Sequence, residues 1–142
     1  MAGPRVPIRS SGFWPVTNAN FENASYDQYA SGFFLSKSMM KWFWDAYTTD
    51  ARQRVEIQAS PLLASPEQLK GLPPALVQTA ENDVLRDEGE AYGKALQAAG
   101  VPTRIEQFDG MNHGFFFFVG IVDKSGTAMD SACEWVRETL AE

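Results

Sequence analysis

Parallel strands with flanking helices, an α/β fold, are what this 142-residue sequence predicts. Three observations carry that expectation. Residues 75–80, ALVQTA, are a short apolar run between Pro73-Pro74 and Glu81-Asn82-Asp83, the pattern of a strand buried on both faces. A helix pattern follows, with Asp87 and Glu88 where a helix N-terminus favours negative charge, then Ala91, Tyr92, Ala95, Leu96 and Ala99, and Gly100 and Pro102 to end it. Residues 103–108 are a second, more polar strand, and a strand, helix, strand sequence with a crossover of this length is a parallel βαβ unit.

Ahead of this unit the chain is less regular. Residues 1–12 mix Pro4, Arg5, Pro7, Arg9, Ser10 and Ser11 and suit a loose or edge segment, while Phe13, Trp14, Pro15, Val16 and Thr17 look like the tail of a strand. Residues 18–31 are rich in turn formers such as Asn20, Asn23 and Ser25. Ser36 or Ser38 can cap a helix carrying Met39, Met40, Trp42, Phe43, Trp44 and Tyr47. Met39 or Met40, Phe43 and Tyr47 share one face of it, and Trp42 and Trp44 point elsewhere, so the helix is expected to be covered on several faces. It is either a core helix or a wall of an apolar ligand pocket.

Residues 48–74 contain Pro61, Pro66, Gly71, Pro73 and Pro74 and read as a linker with at most short helical turns. At the other end, a helix over 127–140 sets Met129, Cys133, Val136 and Leu140 on one stripe. That stripe is expected to pack on the sheet, with Cys133 as a small core residue.

Composition narrows the function. Hydrophobic residues make up 44% of the chain, enough for a real core. A net charge of −6, from 12 basic and 18 acidic side chains, argues against nucleic acid as a partner, since its recognition draws on clustered Lys and Arg. The single Cys cannot make an internal disulfide, no apolar run has the length of a membrane span, and residues 1–12 lack a continuous signal-peptide core. A cytoplasmic protein without stable membrane insertion is the expectation. One His and scattered carboxylates imply no metal, and no motif implies a cofactor.

Two side chains stand out chemically. Asp83 follows the first strand of the βαβ unit, and His113, the only His, follows the second. In doubly wound sheets, catalytic groups gather outside the carboxyl ends of the strands, so both emerge on one edge. A carboxylate there can meet the imidazole Nδ1 and hold the tautomer whose Nε2 is free. Asp109, by contrast, sits in a turn, where Asp is favoured for backbone bonding.

The stretch PPALVQTAENDVLRDEGEAYGKALQAAGVP followed by FDGMNHGF closely resembles the C-terminal part of the bacterial esterases and lipases that are similar to mammalian hormone-sensitive lipase, within the α/β-hydrolase fold. The resemblance runs back through GLPP at 71–74, SPLLA at 60–64, MMKWFWDAY at 39–47 and WPVTNAN at 14–20. It implies that Asp83 is the acid and His113 the base of a catalytic triad, and that Met40, Phe43, Trp44 and Phe115 contribute walls for an ester substrate. Val84 stands where many relatives place Pro, which removes a rigid turn element but no chemical group.

The fold's nucleophile lies in G-x-S-x-G, ahead of the acid and base in chain order, and no Ser here has Gly two positions away on both sides. No HGGG-like stretch is present either. The sequence therefore looks like the C-terminal portion of an α/β-hydrolase with an incomplete sheet: residues 1–17 a residual strand entry, 18–72 a cap-like pocket segment and linker, and 73–142 the last part of the catalytic unit. Such a chain is expected to be inactive alone, to pair with an N-terminal half or with itself, and to act on a small ester only when completed. The alternative is a non-catalytic fragment that serves as an oligomerising or binding module.

Overall fold

The computed structural model describes residues 10–140. At its centre is β2, Ala75–Asn82, whose first six residues are all buried. β1, Ser10–Phe13, lies parallel to it on one side and β3, Thr103–Asn112, parallel on the other, so the described sheet has the order β1-β2-β3. Residues up to Gly12 were expected to be a loose or edge segment, and residues 13–17 the tail of a strand. Ser10–Phe13 form an edge strand of the described sheet, with Ser10 paired to Ala75 and Phe13 to Gln78, and the strand stops at Phe13, so residues 14–17 lie beyond it. Residues 1–9 of the segment expected to be loose fall outside the described residues.

Alternation along β2 assigns each side of the sheet its own helix. Val77 and Thr79 face α5, Arg86–Ala98, which comes close because Gly89 and Gly93 have no side chains; a Cβ on Gly93 would lie 2.7 Å from Ile105. Leu76, Gln78 and Ala80 face the other way, toward α6, Asp123–Leu140. Helices on both faces of a parallel sheet make the α/β sandwich that the βαβ pattern implied.

The buried stripe of α6 differs from the expected one. Ser125, Ala128, Ala132 and Trp135 are buried, whereas Met129 and Val136 are 38% exposed and Cys133 is exposed. Close approach decides the contact: small residues let the helix descend on the sheet, and Trp135 anchors it on Leu76. Trp135→Ala is expected to cost about 3–5 kcal/mol of stability, and Cys133→Ser less than about 0.5 kcal/mol, read as shifts of the urea midpoint.

Four short helices precede β2: α1, Ala24–Gln28; α2, Lys37–Tyr47; α3, Ala51–Arg54; and α4, Pro66–Leu69, with a 3-10 turn at Pro61–Leu63. Of the two candidate caps for α2, Ser36 accepts from Met39 N–H. The helix buries only Met40 and Trp44, one turn apart, against Tyr26, Leu35, Val84 and Leu85. Met39, Trp42, Phe43 and Tyr47 are exposed, so among the described residues the helix is covered on one face and not on several. No helix among the described residues is long and apolar enough to cross a membrane.

Candidate active site

β2 ends at Asn82, and the chain turns sharply through Asp83, Val84 and Leu85 into α5. The turn is held by the acid itself, because Asp83 Oδ1 accepts the Leu85 N–H at 3.0 Å. Asp83 is 1% exposed, so its other oxygen needs a partner. His113 supplies it: Nδ1 lies 2.8 Å from Asp83 Oδ2. An ionised carboxylate only accepts, so Nδ1 carries the proton and Nε2 is left with its lone pair.

The reach of His113 comes from an irregularity in β3. Ala80 pairs with Phe108 but Asn82 pairs with Asn112, so two extra residues are accommodated in β3 across that interval. Gly110 sits there at φ 75°, a backbone that favours glycine. Asp109, expected in a turn, belongs with Gly110 to the bulged end of the strand, which delivers His113 opposite the acid turn.

Around the imidazole the walls are apolar. Trp14, Val16, Leu35, Met40, Phe43, Leu85 and His113 line a cavity of about 300 Å³. A neighbouring cavity of about 240 Å³ shares Val16, Met40 and Phe43 and continues to Trp44, Tyr47 and Gln58. Of the four side chains foreseen as pocket walls, Met40 and Phe43 thus share a cavity with His113, and Trp44 lies in the adjoining one. Phe115 is buried on the other flank, against Trp14, Phe108 and Ala128, where it lines a hollow with His113 and Phe34.

Asp87 and Glu88 lie in the first turn of α5 as expected, but their carboxyl groups serve a different segment. Asp87 Oδ2 accepts the Ser25 N–H at 2.8 Å, and Ser25 Oγ donates to the Val84 carbonyl at 2.7 Å. Glu88 Oε1 accepts from Thr17 and Asn18 N–H. Burial pushes the Glu88 carboxyl from its ordinary 4.5 up to about 7, against the opposing pull of those two N–H groups. Folding therefore favours the protonated form. Its contribution to stability is complete below about pH 4.5 and is lost as the pH rises through 7. Between roughly pH 4 and 8, wild type is expected to lose about 3 kcal/mol relative to Glu88→Gln, which carries no such proton, in urea unfolding at each pH.

Among the described residues no group of three or more His, Cys, Asp or Glu is placed to hold a metal ion. What the site offers is a carboxylate and an imidazole in hydrogen-bonded register at the carboxyl edge of a parallel sheet. A family model described as the alpha/beta hydrolase fold matches residues 7–117, and the chain belongs to that family.

Several of the proteins this chain is similar to are esterases. It is 31% identical over 140 residues to ethyl acetate hydrolase of Pseudomonas putida, covering 99% of this chain and 42% of that protein. To vegetative-specific protein H5 of Dictyostelium discoideum it is 43% identical over 103 residues, 72% of this chain and 31% of the relative. A thermostable esterase from Pseudomonas putida ECU1011 superposes with a TM-score of 0.85 at 57% identity, over 87% of this chain and 40% of that one. The chain thus spans less than half the length of each of these relatives.

Proposed function

We propose that this chain supplies the acid and base of a serine carboxylic-ester hydrolase whose nucleophile and oxyanion donors come from another polypeptide segment. The observation that supports this reading most directly is the 2.8 Å contact between His113 Nδ1 and the buried Asp83 carboxylate. In the completed site His113 Nε2 takes the proton of a Ser hydroxyl as the oxygen attacks the ester carbonyl. The imidazolium then gives that proton to the departing alkoxide, and the same two transfers run through water to release the acid. Asp83 holds the tautomer and stabilises the imidazolium. A cavity of about 300 Å³ beside the imidazole suits the apolar part of a small or medium-sized ester.

No G-x-S-x-G or HGGG stretch is present, so the chain alone is expected to show no turnover. The test is complementation: a chromogenic acetate or butyrate ester is assayed with this chain, then with an added N-terminal segment of an esterase relative carrying G-x-S-x-G and HGGG. Hydrolysis that appears only on mixing supports the reading. A mixture that binds but never hydrolyses overturns it. A binding or self-associating module is the second reading, favoured by the exposure of Trp42, Tyr47, Phe117 and Ile121, each 64% or more. Concentration-dependent dimerisation without activity in the mixture would favour it.

A further inference from the structure

The segment after β1 reaches the acid and base from the side. The Trp14 ring lies 5.3 Å from His113, centroid to centroid, and packs edge-on against Phe115 and Phe116. Trp14 does not rest there by preference, since its φ of 46° is a left-handed backbone that a bulky residue adopts only under constraint. Its N–H donates to the Gln78 carbonyl of β2 at 3.0 Å, and the residues that follow are held by the first turn of α5. Pro15 lies over Gly89, where a Cβ would meet Pro15 Cδ at 3.5 Å and Thr79 at 3.1 Å. Beside it, Glu88 Oε1 accepts Thr17 N–H at 2.6 Å and Asn18 N–H at 3.1 Å, and the Thr17 hydroxyl donates to the Glu88 carbonyl at 2.9 Å.

Glu88 is 2% exposed and Thr17 1%. A carboxyl that served only the helix dipole would do so at lower cost in water, so its burial needs another purpose. The two backbone donors supply one, because an extended segment leaving a strand has no ladder of its own to satisfy them.

We propose that Glu88 is a positioning residue that anchors the 14–18 segment to the first turn of α5 and thereby sets the Trp14 indole against the His113 imidazole. The inference rests on the reading of Asp83 and His113 as acid and base. Its consequence is that the imidazole is fixed from two sides: Asp83 holds Nδ1, and the indole limits tilt of the ring. Both supports lead back to one stretch of chain, from the acid turn to the first turn of α5.

His113 is the only histidine, so its two carbon-bound ring protons give an unambiguous pair of NMR signals, displaced by the ring current of Trp14. Read at the alkaline end of the titration, these signals are expected to move toward the positions of an exposed histidine in Glu88→Ala. Glu88→Gln, whose amide oxygen still accepts from Thr17 and Asn18, is expected to restore them. Glu88→Asp, one methylene shorter and the variant to rely on should the alanine form not fold, is expected to move them. Leu96→Ala, which opens the separate cluster around Leu69, Ala75 and Val101, is expected to leave them in place. Unmoved signals in a folded Glu88→Asp or Glu88→Ala chain would overturn the proposal, as would an equal displacement in Leu96→Ala. The measurement uses no substrate, so it stands or falls separately from hydrolysis by the completed site.

Discussion

In the complemented hydrolase, His113→Ala is expected to lower kcat for a short-chain ester by about 10⁴- to 10⁶-fold while KM changes little. In the proposed mechanism the imidazole takes and returns the nucleophile's proton, and the apolar cavity beside it remains when the ring is removed. Loss of transition-state stabilisation without loss of ground-state binding is the signature of such a group. A drop of less than about 10-fold in kcat, in a mixture that still assembles, would remove His113 from the mechanism.

The second large effect concerns the tautomer. Asp83→Asn is nearly isosteric, and its amide oxygen can still accept the Leu85 N–H that holds the acid turn. Its NH₂ would then face His113 Nδ1 and donate to it, driving the ring proton onto Nε2, the atom that must be free. A loss of about 10⁴-fold in kcat is expected with the fold intact. Asp83→Ala separates the two duties of the side chain, since it also leaves the buried Leu85 N–H unpaired and should cost about 1–3 kcal/mol of stability. Near-normal turnover in Asp83→Asn, with unchanged circular dichroism, would show that the carboxylate is not needed.

Much of the sheet and the helices α2, α5 and α6 were legible in the residues because local signals and tertiary demands coincide there. The ALVQTA run is apolar because β2 is covered on both faces, and Gly100 and Pro102 punctuate α5 where the chain must turn back. At β1 the edge character was legible but the extent of the strand was not, because Ser10, Ser11 and Gly12 have little strand preference of their own; pairing with Ala75, Leu76 and Val77 makes them a strand. On α6 the apolar stripe drew attention to Met129 and Val136, while the sheet takes the smaller Ser125, Ala128 and Ala132. Periodicity measures how apolar a face is, not how near it can come.

In the candidate site, topology sufficed to bring Asp83 and His113 to one edge, because successive parallel strands end on the same side. The roles of Glu88 and Trp14 were hidden for different reasons. Glu88 sits at a position where helix-terminal charge is an adequate explanation, and only the fold shows the Thr17 and Asn18 N–H groups arriving at it. Trp14 belonged to an apparent strand tail. The abrupt change from Phe13 to Trp14-Pro15 was the signal available, since proline interrupts a parallel ladder.

The bulged end of β3 turns the spacing between strand and histidine into a matter of counting. Loops on a protein surface ordinarily absorb insertions and deletions. Here loss of a single residue between Phe108 and His113 would draw the imidazole back by about 3.3 Å along the strand and send it to the opposite face of the sheet. The stretch 109–112 is therefore bound in length, with glycine favoured at 110 by its φ of 75°, and indels there would separate Asp83 from its partner while leaving the rest of the fold in place.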